Sequence, residues 1–434
     1  MKYQILIIVL FVSVLFVNVF PQQQVKDSLT LEDAVRLTLL NQPLIQEALY
    51  QVNAADARIK QQKSFYYPDV EGSLSYVRIG PIPTIEFAGI GFTLAPPNNY
   101  DAHVSASQLV YDFGKRNALV NLITSYKLSS EDKIALIKNN LTYRTVQNFY
   151  TILFLEKSID VKNDQINTLN KHLEITNKKV QTGSATDFDI LTTQVRIAEA
   201  ENEKIDIENE LNKAEINLRS MLNLAPDAEL NLSGEFKIDS VALNYSNIMD
   251  QAYRDRPELK IARSVEKSAT VSKEVASLGD LPALRVFASY GFKNGYEPNL
   301  NVLRGNWTAG INVSVPVFNG NLRGAKVEEA DANLKSSSAD IMAVEKNITV
   351  EVGQAIADVN AYMSKINTAE LQVELAMTAV SRAEIQYRDG VITNLDLIDA
   401  ETSLAQAKLG LLQIQFRNVL GYYNLKKAIG YVLE

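Results

Sequence analysis

Asp396 and Asp399 are the two side chains best spaced for joint chemistry: at i and i+3 on one helical turn, both carboxylates can face one side. What they can do depends on the residues around them. The 434 residues include no cysteine, which removes disulfides, thiolate metal sites, cysteine nucleophiles and a lipidated cysteine anchor. The two histidines, His103 and His172, stand at different places of an internal repeat and read as ordinary surface or lining residues. There is no Ser-His-Asp order, phosphate loop or metal-ligand cluster, and paired acids without a substrate cleft do not suggest hydrolysis. The chain is therefore not expected to be an enzyme, nor to hold a metal or a cofactor. A formal net charge of -8 argues against a dedicated nucleic-acid binder.

The elements carrying these acids come from a duplication. At a shift of 214, Pro43, Pro68, Ser75 and Tyr76 fall on Pro257, Pro282, Ser289 and Tyr290. At a shift of 207, Val110, Arg116, Ala118, Gly183, Asp189 and Leu222 fall on Val317, Arg323, Ala325, Gly390, Asp396 and Ile429. Proline is absent from 98 to 225 and after Pro316, which leaves room for two very long helices. Ile152, Leu155, Ile159, Ile166, Leu169, Leu173 and Val180 alternate at spacings of three and four, with Lys162 and Thr176 in polar gaps. Val359, Tyr362, Ile366, Ala369, Val373, Ala376, Val380, Ala383 and Tyr387 keep the phase in the second copy, a coiled-coil seam richer in alanine. Each copy reads as a hairpin of two long antiparallel helices, 115–224 with its tip at 183–188 and 322–432 with its tip at 390–395. Gly183 and Gly390 permit the turn, where φ is positive.

Strands precede each hairpin. Period-two alternation marks about 70–78 and 100–110 in the first copy, and about 284–292 and 306–317 in the second. Loops rich in Gly, Pro and Asn join them at 78–99 and 293–305. Tyr100, Tyr290 and Trp307 gather near strand ends, as in the aromatic girdle of a barrel with an apolar exterior and polar lumen; a soluble half-buried sheet is the other reading of the pattern. Four strands cannot close a barrel, so in a membrane several chains must pool them, and three chains supply twelve. Short helices are expected near 29–40 and 245–254, helices leading into the strands at 43–66 and 257–280, and a linker at 225–244. At the N-terminus, Lys2, an apolar run from Ile5 to Val17, then Pro21 and Gln22 to Gln24 read as a signal peptide, 1–24. The first repeat is then 25–224 and the second 245–434.

The repeat, the two hairpins, the strand pairs and the leader together resemble the TolC-like outer membrane efflux proteins. The resemblance covers about 28–431 and is clearest in LTLEDAVRLTLLNQPLI, IMDQAYRDRPELKIA and YRDGVITNLDLIDAET. It implies an α+β membrane protein of the cell outer membrane that extends into the periplasm. Three chains would share a twelve-stranded barrel that continues into a coiled-coil tunnel. By the same resemblance the homotrimer would be the exit channel of a tripartite efflux pump or type I secretion system. Its partners would be a periplasmic adaptor, an inner-membrane RND or ABC transporter and outer-membrane lipid.

The resemblance also assigns residues. Asp396 and Asp399 match the carboxylate ring at the periplasmic aperture, a field that favours cations; without it, first-turn acids complement the helix dipole. Tyr387 and Asp189 match the gating contacts, while Ile392 stands where an arginine is expected. A closed state held by a Tyr387–Asp189 pair is the expectation, the alternative being that Tyr387 is the last seam residue. The tips at Gly183 and Gly390 would dock the adaptor, and the second hairpin would move on opening. The rival class is a periplasmic coiled-coil adaptor or scaffold without a barrel, although an adaptor has one hairpin and more short strands.

Overall fold

The computed structural model describes residues 28–82, 84–87, 89–236, 238 and 245–431. The expected signal peptide lies outside the described residues, as does part of the expected linker. The elements, in chain order, are α1 (Leu31–Asn41), α2 (Pro43–Ser64), β1 (Asp69–Arg78), β2 (Thr84–Phe87), β3 (Ile90–Thr93), β4 (Asn98–Tyr111), α3 (Lys115–Gln181) and α4 (Asp187–Leu222). The second copy follows with α5 (Tyr245–Asp255), α6 (Pro257–Ser277), β5 (Ala283–Lys293), β6 (Arg304–Ser314), α7 (Leu322–Arg388) and α8 (Asn394–Ala428).

The helix α3 is uninterrupted because 115–181 holds neither Gly nor Pro, and α3 and α7 are each 67 residues long. At 1.5 Å rise each reaches about 100 Å. The pairs α3–α4 and α7–α8 form hairpins, and the seam between α3 and α8 joins them. The short helices α1 and α5 sit on equivalent cores. Around α1, Val35 meets Phe149, Ile152, Leu218 and Leu222; around α5, Met249 meets Ile348, Val352 and Leu425. Val35 and Met249 correspond at the 214 shift. Burying side chains of this size stabilises by roughly 1.5–3 kcal/mol each.

Several boundaries differ from the expectation. β6 stops at Ser314, not 317, because Pro316 has no N–H to donate to a ladder. α2 ends at Ser64, and α6 ends at Ser277 ahead of Gly279 and Pro282. The expected loop 78–99 contains a hairpin, with Thr84 opposite Thr93 and Glu86 opposite Gly91. Prolines 81 and 83 and two glycines hide it from a pattern reading.

The main sheet is antiparallel in the order β1-β4-β5-β6. Its register sorts the two faces. One carries the rows Val70–Ala106–Ala288–Ala309, Gly72–Val104–Tyr290–Trp307 and Leu74–Ala102–Phe292–Gly305. The other carries Glu71–Ser105–Ser289–Thr308, Ser73–His103–Gly291–Asn306 and Ser75–Asp101–Lys293–Arg304. On the apolar face Val70, Leu74, Val104, Tyr290, Trp307 and Ile311 are all exposed. Arg116 ties sheet to helices. Its buried guanidinium bonds Asp112 at 3.0 Å and donates to the carbonyls of Phe65, Leu109 and Val110 at 3.1, 2.7 and 3.1 Å.

Candidate functional site

The two tips are the same turn built twice. Each outgoing helix ends in a Schellman motif. Ser184 N–H reaches Lys179 O and Gly183 N–H reaches Val180 O; Val391 N–H reaches Gln386 O and Gly390 N–H reaches Tyr387 O. Gly183 and Gly390 both adopt φ +75°, where a Cβ would be strained. Each return helix then opens with a capping box, Thr186 with Asp189 and Thr393 with Asp396. The caps start the helices at 187 and 394, so the turns occupy 182–186 and 389–393, shorter than the expected tips.

This capping divides the two carboxylates of the expected aperture. Asp396 accepts from the Thr393 N–H and hydroxyl at 2.8 and 2.6 Å. Those bonds hold its carboxyl below the usual aspartate value. Asp399 is free of the cap, exposed, and 4.0 Å from the Arg196 guanidinium on α4. The pair therefore does not act as two equal charges within one chain.

The expected Tyr387–Asp189 bond is replaced by another. Tyr387 is buried, and its hydroxyl lies 3.2 Å from Thr176 Oγ1. Burial raises the Tyr387 hydroxyl above its ordinary value. The ring packs on His172 at 5.0 Å, with Lys179 Nζ 4.0 Å from its centroid. Lys179 Nζ also donates to the Tyr387 carbonyl. Asp189 spends its carboxylate on Thr186, at 2.8 Å from both N–H and hydroxyl. Ile392 packs with Ala383, Tyr387 and Leu397 inside its own hairpin.

Asn394 is the residue that sequence reasoning missed. It is buried at the first position of α8. Its Oδ1 meets His172 Nε2 at 2.6 Å and accepts from Thr176 at 3.3 Å. Its Nδ2 donates to the Asp189 carbonyl at 3.2 Å and to Thr192 and Thr193 at 3.3 Å. One side chain thus joins α8 to both α3 and α4. The available signal was a break in the repeat, since Asp187 holds this position in the first copy. His172 is also a correction: it is 3% exposed, neither surface nor lining. Burial lowers its basicity.

At the other end, the expected aromatic girdle residues share the apolar face. Tyr290 stands opposite Trp307, and Tyr100 opposite Tyr76 with ring centroids 5.1 Å apart. A second set, Tyr66, Tyr67, Tyr111, Phe113 and Phe318, is exposed where the strands meet the helices. Among the described residues no helix is long and apolar enough to cross a membrane. No group of three metal-ligating side chains occurs among them either.

The family model for outer membrane efflux proteins matches residues 34–224 and 248–431. The chain is 21% identical to outer membrane protein TolC of Vibrio cholerae over 340 residues, covering 77% of each. It is 24% identical to the alkaline protease secretion protein AprF of Pseudomonas aeruginosa over 343 residues, covering 77% of this chain and 71% of AprF. The crystal structure of the outer membrane protein VceC from Vibrio cholerae superposes with a TM-score of 0.76 at 18% identity, over 93% of this chain and 97% of VceC.

Proposed function

The chain belongs to the outer membrane efflux protein family, and from that premise we propose that three copies form an exit channel through the outer membrane and periplasm. The observation that carries this reading is the sheet. Its apolar face is exposed and its edges, β1 and β6, have no partner strand among the described residues. Open edges in lipid cost several kcal/mol per unpaired backbone group. Three antiparallel pairings separate β1 from β6, so the two edges run in opposite directions. The β6 of one copy then meets the β1 of the next antiparallel, and three copies close twelve strands with polar residues inside.

The helices repeat the arrangement. Phe188, Leu191 and Val195 are exposed on α4, and Leu371, Leu375 and Ile385 on α7. These apolar stripes on the outer helices fit head-to-tail packing into a ring. The ring of helices forms a periplasmic tunnel with the tips as its entrance. Asp399, with Asp396, lines that entrance, and Tyr387 helps keep it closed. The turns at Gly183 and Gly390 meet a periplasmic adaptor, and an inner-membrane RND or ABC transporter supplies the cargo. On opening, the second hairpin, 322–432, moves. Tyr100, Tyr290 and Trp307 sit at the lipid boundary.

A barrel-free adaptor would have to cover the apolar sheet face, and nothing in the described chain packs on it. Envelope fractionation followed by an unheated gel tests the proposal. A trimer in the outer-membrane fraction supports it, and a soluble periplasmic monomer contradicts it.

A further inference from the structure

The seam between the hairpins contains a titratable pair that carrying cargo does not require. His172 of α3 and Glu401 of α8 are 3% and 6% exposed, with Nδ1 4.0 Å from Oε1. The surrounding hydrogen bonds fix where protons sit. The Asn394 amide is oriented by its Nδ2, which donates to the Asp189 backbone carbonyl, a pure acceptor. Its Oδ1 therefore faces His172, and Nε2 must carry the hydrogen of that 2.6 Å bond. In a neutral ring, Nδ1 is then a bare lone pair beside a carboxylate. Two such groups facing each other in a buried seam repel unless one of them carries a proton. Among the described residues Glu401 Oε2 has no hydrogen-bond partner, so an anion there is poorly compensated.

We propose that His172 and Glu401 together hold a single proton in the closed α3–α8 seam, and that this proton locks the two hairpins together above the tips. The gating role rests on the exit-channel reading; the joint itself does not. Glu401 lines a cavity of about 180 Å³ with Glu384 of α7, Asp164 of α3 and Lys408 of α8. Asp164 and Lys408 pair at 3.4 Å, which leaves Glu384 as the charge acting on Glu401. Lys179 of α3 and Asp189 of α4 act on His172 with opposite signs. Burial, reinforced by Glu384, raises Glu401 from 4.5 to about 7. Burial holds His172 below 6.5. In the closed seam the proton resides on Glu401.

Counting protons gives the pH dependence. Just below 6.5 the opened pair carries one proton, on His172, and the closed pair carries one, on Glu401. Closure changes little with pH there. From 6.5 to about 7 only the closed pair keeps its proton, so closure weakens as pH rises and levels off above. Below 4.5 Glu401 is protonated in both states, and closure weakens as pH falls only while His172 of the closed seam stays neutral.

Hydrogen exchange at amides 172–176 and 394–401 of the assembled protein, corrected for intrinsic rates, tests the joint. In the wild-type protein protection should change little just below pH 6.5 and fall as pH rises from 6.5 to about 7. Glu401→Gln leaves only the imidazole, and protection should rise with pH up to 6.5. His172→Gln leaves only the carboxyl, and protection should fall by up to about tenfold per pH unit between 4.5 and 7. Adding Glu384→Gln to His172→Gln should move that upper limit down. Opposite slopes in the two single variants support a closed pair that holds its one proton on Glu401; flat profiles in both, or slopes of one sign, overturn it. Failure to conduct in planar bilayers at any pH would count against the exit channel, while the exchange slopes would still decide the joint.

Discussion

Asp189 and Asp396 occupy one place in two hairpins: each is the third residue of its return helix, and each carboxylate accepts from the threonine that caps that helix. The duplication preserved the cap. What diverged is the first residue of the helix, Asp187 in one copy and Asn394 in the other. Only an amide there can donate to the Asp189 carbonyl and accept from His172 at once. The asymmetry between the hairpins thus begins at one side chain.

Replacing Asn394 with alanine should strand the buried His172 Nε2–H, while the Asp189 carbonyl keeps the Thr192 and Thr193 hydroxyls. Leaving buried polar groups unpaired costs about 1–3 kcal/mol. Asn394→Ala should lower the thermal midpoint of the trimer and raise its open probability in planar bilayers. Asn394→Asp, which restores the acceptor but not the donors, should fall between. Wild-type behaviour in Asn394→Ala would remove the hub from the account.

Tyr387→Phe keeps the ring contacts with His172 and Lys179 and loses the hydroxyl contact with Thr176. The cost should be about 1 kcal/mol. Single-channel conductance should rise, by less than in Asn394→Ala. Unchanged conductance would leave Tyr387 as a packing residue alone.

At the aperture, the two acids should separate. Asp399→Ala should lower cation preference, read as a reversal potential, with little change in stability. Thr393→Ala should cost about 1 kcal/mol through the lost cap. The bonds that lower Asp396 add stability at pH above its ordinary 3.8, and this is lost as pH falls through the lowered value. The cap should therefore persist throughout neutral and mildly acid pH.

The barrel has its own sensitive point. A Cβ on Gly291 would lie 2.2 Å from the Ala102 carbonyl, which is backbone and cannot rotate away. Gly291→Ala should disrupt β4–β5 pairing and abolish gel-stable trimers. Gly72→Ala, with nothing within 4 Å, should assemble normally. Equal behaviour of the two variants would contradict the β4–β5 register.

Architecture was legible in this sequence because it repeats and because its periods are long. The Gly- and Pro-free stretch 115–181 and the alternation around Tyr290 and Trp307 each reflect one local rule. The tip network was not legible, because its partners are far apart in sequence. Thr176 and Asn394 are 218 residues apart, and on a heptad seam a threonine reads as a polar gap. His172 was misjudged for the same reason: its burial comes from α8, not from its own helix. Asp189 was given to Tyr387 when its nearest donor was its own cap.

Edge-to-edge closure of three chains is the central claim, and the absence of native cysteine makes it directly testable. Ser73→Cys on β1 can be combined in turn with Asn306→Cys, Thr308→Cys or Asn312→Cys on β6, and oxidised in whole cells. At least one pair should give a covalent trimer in the outer-membrane fraction on a denaturing, non-reducing gel, and reduction should return it to monomer. Monomer alone for every pair, in chains that fold, would contradict the shared barrel.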